Sequence, residues 1–241
     1  MFKRLTLAVF VMVLSGFFLS KDSLADRRSY VWTYEYLTMP KGETELEYYL
    51  DFKEKELNDK TTSAWKHQLE IEHGITDRWD LSVYQVFSQE NGEALRYDEL
   101  KIRTRYRFSE SGNWFLDPLI YLEYKKPSEV SSADELEGKL VLAKDISNLN
   151  FAWNLVFERE IRSKAETEVK YAMGLSYQLV PAFKIGLEGK GDLGKNRDSK
   201  HYLSPAFSFA SGKLWITLGT AFGLTSKSDD FQFRYILGLS L

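Results

Sequence analysis

The sequence predicts an all-β protein: a closed antiparallel up-and-down transmembrane β-barrel of about 12 strands behind a cleaved signal peptide. Three observations carry this expectation. Apolar and polar residues alternate with period two from about residue 43 to the end. Connections alternate between tight turns and longer polar loops. No stretch after residue 25 approaches the ~20 consecutive apolar residues of a membrane helix, and the negative mean hydropathy suits strands apolar on one face only.

The chain opens with Met1-Phe2-Lys3-Arg4, a short basic start, followed by a nearly unbroken apolar run from Leu5 to Leu19. Ser23-Leu24-Ala25 then supplies small-x-small cleavage chemistry, so residues 1–25 read as a secretory signal peptide. Residues 26–42 form an N-terminal periplasmic or lumenal segment. In it Tyr30, Trp32, Tyr34 and Tyr36 alternate before the Pro40-Lys41-Gly42 turn. That alternation also suits an edge strand, but a thirteenth strand would break the even parity of single-chain bacterial barrels. The barrel itself is assigned to 43–241.

Within the barrel, Leu46, Tyr48, Leu50 and Phe52 alternate with Glu45, Glu47, Tyr49 and Asp51. His67, Leu69 and Ile71 alternate with Gln68, Glu70 and Glu72, and Trp79, Leu81 and Val83 with Asp80 and Ser82. The octapeptide Lys101–Phe108 is the sharpest case. As a strand it puts Lys101, Arg103, Arg105 and Arg107 on one face and Ile102, Thr104, Tyr106 and Phe108 on the other. Ile120, Leu122 and Tyr124 then face away from Asp117, Tyr121 and Glu123, and Trp153, Leu155 and Phe157 away from Asn154 and Glu158. Val169 to Leu179 is a long apolar row opposite Lys170 and Gln178, and Phe231 to Leu241 closes the chain with Gln232 and Arg234 between its apolar residues. Tight turns are expected near Thr76-Asp77, Ser111-Gly112-Asn113, Ser147-Asn148, Val180-Pro181-Ala182 and Ser211-Gly212-Lys213. The longer polar connections fall near 54–62, 88–94, 126–135, 162–167, 193–200 and 226–230.

Alternation alone also suits a soluble sandwich with its apolar rows inside. Strands of ~10 to 13 residues exceed the ~5 to 6 usual in soluble sheets and match a tilted membrane crossing. Trp65, Trp79, Trp114, Trp153 and Trp215 near strand ends fit interfacial girdles. Twelve amphipathic strands with apolar faces inward would also enclose a wide apolar hollow, whereas apolar faces outward shed them into lipid with every backbone group paired.

The formal net charge is −3, and cleavage after residue 25 makes the chain more acidic, so no uncompensated basic stripe points to nucleic acid. The absence of cysteine excludes disulfides and thiol chemistry.

The turn Gly74-Ile75-Thr76-Asp77-Arg78-Trp79-Asp80-Leu81 resembles one found in outer-membrane barrels of the transporter type grouped with the phenol meta-pathway family. The resemblance implies an outer-membrane protein of a Gram-negative bacterium, in contact with outer-membrane lipids. The alternating Phe231–Leu241 strand is similar to the signal read by the barrel-assembly machinery, although it ends in Leu rather than the usual Phe.

Catalytic groups are few. Outer-membrane phospholipases and lipid A deacylases are similar in placing His and Ser two residues apart on one strand face. Here Ser204 follows His201 by three residues, which sends the two side chains to opposite faces. His67 and His73 share the phase of Leu69 and Ile71 and read as rim residues. Carboxylates read as ion-pair partners, no cofactor or dedicated metal site is indicated, and no enzyme activity is expected.

The lumen is therefore the candidate site. Lys101, Arg103, Arg105 and Arg107 form a cationic ladder, and Glu45, Glu47, Asp51, Glu70 and Glu72 an acidic wall set opposite it. Asp117, Glu123, Glu158, Lys170 and Arg234 complete the lining. Opposed charge across a narrow pore would constrain small polar or charged solutes, making the barrel channel- or transporter-like. The alternatives are a non-conducting structural or surface-interaction barrel, its interior zipped by ion pairs, and, third, a barrel enzyme.

Overall fold

A computed structural model describes residues 28–194 and 199–241; the signal-peptide expectation for 1–25 lies outside them. Twelve strands form the wall. The first six are β1 Thr44–Glu54, β2 Ser63–Thr76, β3 Trp79–Glu90, β4 Arg96–Arg107, β5 Asp117–Pro127 and β6 Glu135–Ile146. They are followed by β7 Leu149–Glu160, β8 Glu168–Val180, β9 Phe183–Asp192, β10 His201–Ser211, β11 Leu214–Gly223 and β12 Phe231–Ser240. Each strand pairs antiparallel with its sequence neighbours, and β12 closes on β1 from Glu45↔Ser240 to Glu54↔Phe231, giving a closed barrel. Closure removes the sheet edges, so the backbone needs nothing from its surroundings.

Accessibility identifies the two faces. On β2, Leu69 is 53% and Ile71 55% exposed, while Glu70 and Glu72 between them are 1% and 2% exposed. The same inversion runs around the barrel: Leu81, Val83, Ile102, Leu122, Leu175 and Leu187 are exposed, and Asp80, Ser82, Arg103, Glu123 and Ser176 are buried. A continuous apolar belt outside a charged interior is stable where the surrounding solvent is hydrocarbon. This is a membrane-spanning barrel, with the apolar face of Lys101–Phe108 outward and its cationic face inward.

The rims differ in length. Residues 77–78, 147–148, 181–182 and 212–213 make two-residue turns at the rim shared by the start of β1 and the end of β12. Longer connections at 55–62, 91–95, 128–134, 161–167 and 224–230 crown the other rim, where β9 ends and β10 begins. The β4–β5 connection departs from the tight turn expected around Gly112. It spans 108–116, and Asp117 holds it by accepting from the Gly112 and Trp114 amides at 2.7 and 3.1 Å.

One aromatic expectation is corrected. Trp65, Trp79 and Trp114 are exposed, but Trp215 is fully buried inside the barrel. It shares the phase of Thr217, not of Ile216, and packs with Val31, Tyr49 and Ile236 over Gly238, where a β-carbon would overlap the indole.

Candidate functional site: a lumen shared between wall and N-terminal segment

Residues 28–43 make no strand of their own. They enter from the short-turn rim and run along the inner wall, with Ser29, Tyr30, Val31 and Thr33 fully buried. An irregular segment inside a barrel must have its backbone polar groups satisfied by the wall. The Glu188 carboxylate of β9 accepts the amide hydrogens of Val31, Trp32 and Thr33 at 2.8, 2.9 and 2.8 Å. Asn154 of β7 pairs both ways with Tyr34, its Oδ1 accepting from the amide at 2.7 Å and its Nδ2 donating to the carbonyl at 2.9 Å. The Thr217 hydroxyl donates to the Arg28 carbonyl at 2.7 Å.

The wall is also hollowed to fit. The Tyr30 ring lies on Gly174 of β8, where a β-carbon would overlap it. The Tyr30 hydroxyl donates to the Asn150 carbonyl at 3.0 Å. Two apolar clusters follow, one joining Tyr30 and Tyr36 to Leu119, Tyr121 and Val141, the other joining Val31 to Tyr49, Tyr84, Val86 and Trp215. The interior is therefore not uniformly polar; the segment carries its own apolar core into the lumen.

The Gly74–Leu81 turn is where the segment is clasped. The Gly74 carbonyl accepts from the Gly42 amide at 2.8 Å and the Gly74 amide donates to the Glu43 carbonyl at 3.0 Å, and a β-carbon on Gly74 would strike the Pro40 carbonyl. Asp77 accepts from the Lys41 amide at 3.1 Å and Asp80 from the Met39 amide at 3.1 Å. The Thr38 hydroxyl donates to the Asp77 carbonyl at 3.0 Å.

The cationic ladder and its acids do not face each other across a pore. In an up-and-down barrel β2 and β4 flank β3, so their inward side chains lean together on one wall. Arg103 pairs with Glu70 at 2.8 Å and Glu72 at 2.5 Å, and donates to the Tyr84 hydroxyl at 2.5 Å. Arg105 bridges Glu72 and Asp80, reaching Asp80 at 2.7 Å. Arg107 donates to Thr38 at 2.8 Å and to the Asp77 carbonyl, so it serves the clasp. Glu45 and Glu47 line a small space of about 20 Å³ beneath the segment, with Glu47 accepting from the Tyr49 hydroxyl at 2.5 Å. The short-turn half is thereby filled by ion pairs and polypeptide.

Toward the long-loop rim the lumen is open. A cavity of about 360 Å³ has Trp32, Tyr34, Tyr49, Tyr84 and Tyr121 as its aromatic lining, with Lys101, Glu123, Glu158, Lys170 and Arg234 among its charged groups. A second cavity of about 400 Å³ reaches Asp51 and Lys66 and shares Trp32, Lys190, Gln232 and Arg234 with the first. Along one wall Lys101 stands 3.8 Å from Glu123, Lys139 2.6 Å from Glu137 and Lys170 2.5 Å from Glu158. Asp51 pairs with Arg234 at 2.5 Å. The carboxylates of Glu135, Glu137 and Glu158 converge as a cation site would, but the Lys125 ammonium sits among them at 2.6, 2.8 and 4.0 Å. Their charge is met from within the chain.

Of the expected lining residues, Lys101, Asp51, Glu123, Glu158, Lys170 and Arg234 border the open cavities. Arg103, Arg105, Glu70 and Glu72 form the buried network, Arg107 holds the segment, and Asp117 caps a turn. Sequence reasoning missed Glu188, Asn154, Asp80 and Lys190. All have inward phase on their strands, so parity marks them, but nothing local announces that the partner of Glu188 lies more than 150 residues away.

His67, His73 and His201 receive or give hydrogen bonds to Tyr48, Thr44 and Tyr171 at 2.7, 2.8 and 3.1 Å. Ser204 is buried in the interior on the face opposite His201, so these two side chains do not pair.

No protein-family profile and no curated protein sequence matches the chain. Solved structures do match it in three dimensions. The NanC porin is similar with a TM-score of 0.57 at 10% identity, covering 81% of this chain and 98% of that one. An outer-membrane channel from Pseudomonas putida F1 gives 0.59 at 11%, covering 88% and 100%. The KdgM porin in complex with disordered oligogalacturonate gives 0.56 at 12%, covering 81% and 97%. At such identities the likeness is one of fold, a closed 12-stranded barrel of the outer-membrane kind.

Proposed function

We propose that the protein is an outer-membrane barrel of a Gram-negative bacterium that admits small polar or charged solutes from the long-loop side, as a channel or transporter-like protein whose short-turn half is closed by its own N-terminal segment. The observation that carries this reading is the division of the lumen: a charged, aromatic-lined cavity of about 360 Å³ lies over a half filled by residues 28–39. The filling is attached through hydrogen bonds and side-chain packing rather than through the sheet, so it can move without opening the barrel. Similarity to porins and channels supports the reading. The Gly74–Leu81 turn supports the transporter type of the phenol meta-pathway group, here with a physical task as the clasp of the segment. No catalytic role is assigned, the lipid bilayer is the partner of the outer face, and β12 is the element offered to the assembly machinery.

A second reading, a non-conducting barrel, is favoured by the buried Arg103–Glu70–Glu72–Arg105–Asp80 network, which needs no solute to be satisfied. Single-channel recording of the refolded mature protein separates the two. Wild type should open rarely, and Glu188→Ala, which loosens the segment, should raise both open probability and conductance. No conductance from either protein at any voltage would overturn passage and leave the non-conducting barrel.

A further inference from the structure

We propose that Lys190, Arg234 and Trp32 form a binding site for a small organic carboxylate with a flat apolar face. Lys190 projects from β9 between the two cavities, and its ammonium lies 4.1 Å from the centre of the Trp32 ring and 5.0 Å from that of Tyr202. It donates one hydrogen bond, to Gln232 Oε1 at 2.7 Å, and among the described residues it has no carboxylate at ion-pair distance. An ammonium carries three donors, so two remain.

The charged groups that act most strongly on Lys190 are Arg234, Asp51, Glu188 and Asp229. Each acid is committed elsewhere. Asp51 pairs with Arg234, Glu188 accepts the three amides of the N-terminal segment, and Asp229 accepts from Gln232 at 2.6 Å and from the Tyr202 hydroxyl. Arg234 uses Nε on Asp51 and Nη1 on the Val31 carbonyl, and its guanidinium lies 5.7 Å from Trp32. Its Nη2 has no hydrogen-bond partner among the described residues.

Two cations with spare donors thus border one indole at the wall between two cavities. Lys190, with no carboxylate at ion-pair distance among the described residues, attracts an anion more strongly in this partly desolvated aromatic setting than in bulk water, while Arg234, already paired with Asp51, adds its spare Nη2 donors. The aromatic rings favour a flat body on the bound anion, and a carboxylate accepts from ammonium and guanidinium together. Trp32 belongs to the N-terminal segment and Lys190 lies two residues from Glu188 on the same strand face, so the site exists only while the segment is seated. It rests on the reading of the lumen as a solute compartment and names the class of solute.

Titration calorimetry on the refolded full mature chain tests the site, with benzoate as probe and benzamide as its uncharged counterpart. Benzoate should bind with a stoichiometry near one and benzamide should not. Lys190→Gln should weaken benzoate at least tenfold, Lys213→Gln, on the far turn, should not change it, and Trp32→Leu should weaken benzoate while leaving acetate unchanged. No benzoate heat with wild type, equal binding of benzamide, or affinity unchanged in Lys190→Gln would each overturn the proposal. Conductance read on the same preparations keeps the two readings apart. Benzoate binding without conductance would uphold the site and overturn passage; conductance without benzoate binding would do the reverse.

Discussion

Glu188 is the point at which the N-terminal segment can be released with least damage to the barrel. The residue is 1% exposed, and its carboxylate accepts three consecutive amides at 2.8 to 2.9 Å. In Glu188→Ala those amides lose their acceptor in a buried setting. Each orphaned amide costs about 1–3 kcal/mol, and water entering from the open cavity holds the sum near the lower end, about 3 kcal/mol for three. At ~1.4 kcal/mol per tenfold, the docked segment should open on the order of a hundredfold more often. Glu188→Gln keeps one acceptor oxygen and loses the charge, which roughly halves the strength of such a bond, so its effect should fall between. Hydrogen–deuterium exchange of the peptide covering residues 30–39 reads this directly. Exchange there should accelerate ~100-fold in the alanine variant while the strand amides, paired across the closed sheet, keep wild-type protection and the protein keeps its heat-modifiable gel migration. Wild-type protection at residues 31–33 in Glu188→Ala would refute the reasoning.

Other perturbations address the packing, the ion network and the outer face. Gly174→Val puts branched carbon where the Tyr30 ring lies; overpacking of this kind costs about 1–3 kcal/mol, and it should speed exchange over residues 28–36 without changing β-sheet content by circular dichroism. Arg103→Met leaves Glu70 and Glu72 buried without their shared partner. Removing one member of a buried pair costs about 3–5 kcal/mol, seen as a lower urea midpoint for unfolding from vesicles, and Arg103→Met combined with Glu70→Gln and Glu72→Gln should recover most of it. Leu69→Arg, midway along β2 on the lipid face, should cost about 2–4 kcal/mol in the same assay, whereas a soluble barrel would tolerate it.

The barrel was legible because its signal is local and repeated. Alternation in Lys101–Phe108 or Val169–Leu179 states a period, and a period of two with strands this long admits few folds. Turn and loop lengths gave the parity, and the structure has the twelve strands it implied. Trp215 shows the limit: its position near a strand end suggested the interface, but phase outranks position, and its phase is that of Thr217. The β4–β5 connection shows another, since a Gly-Asn pair marks a turn without giving its length.

By itself, the sequence determined the strands, their antiparallel order and the two faces, because these follow from residue-by-residue alternation and the chirality and pairing of neighbouring strands. Only the tertiary structure decided what the charged face does. The rows of Arg103 and Glu70 become one buried network because β2 and β4 share a neighbour. The fate of residues 28–43 depended on a carboxylate in β9, an amide in β7 and a glycine in β8, distant in sequence and adjacent only once the sheet closes. Whether a cation is spare, as at Lys190, or spent, as at Arg103, is likewise a property of which acids the closed barrel leaves within reach.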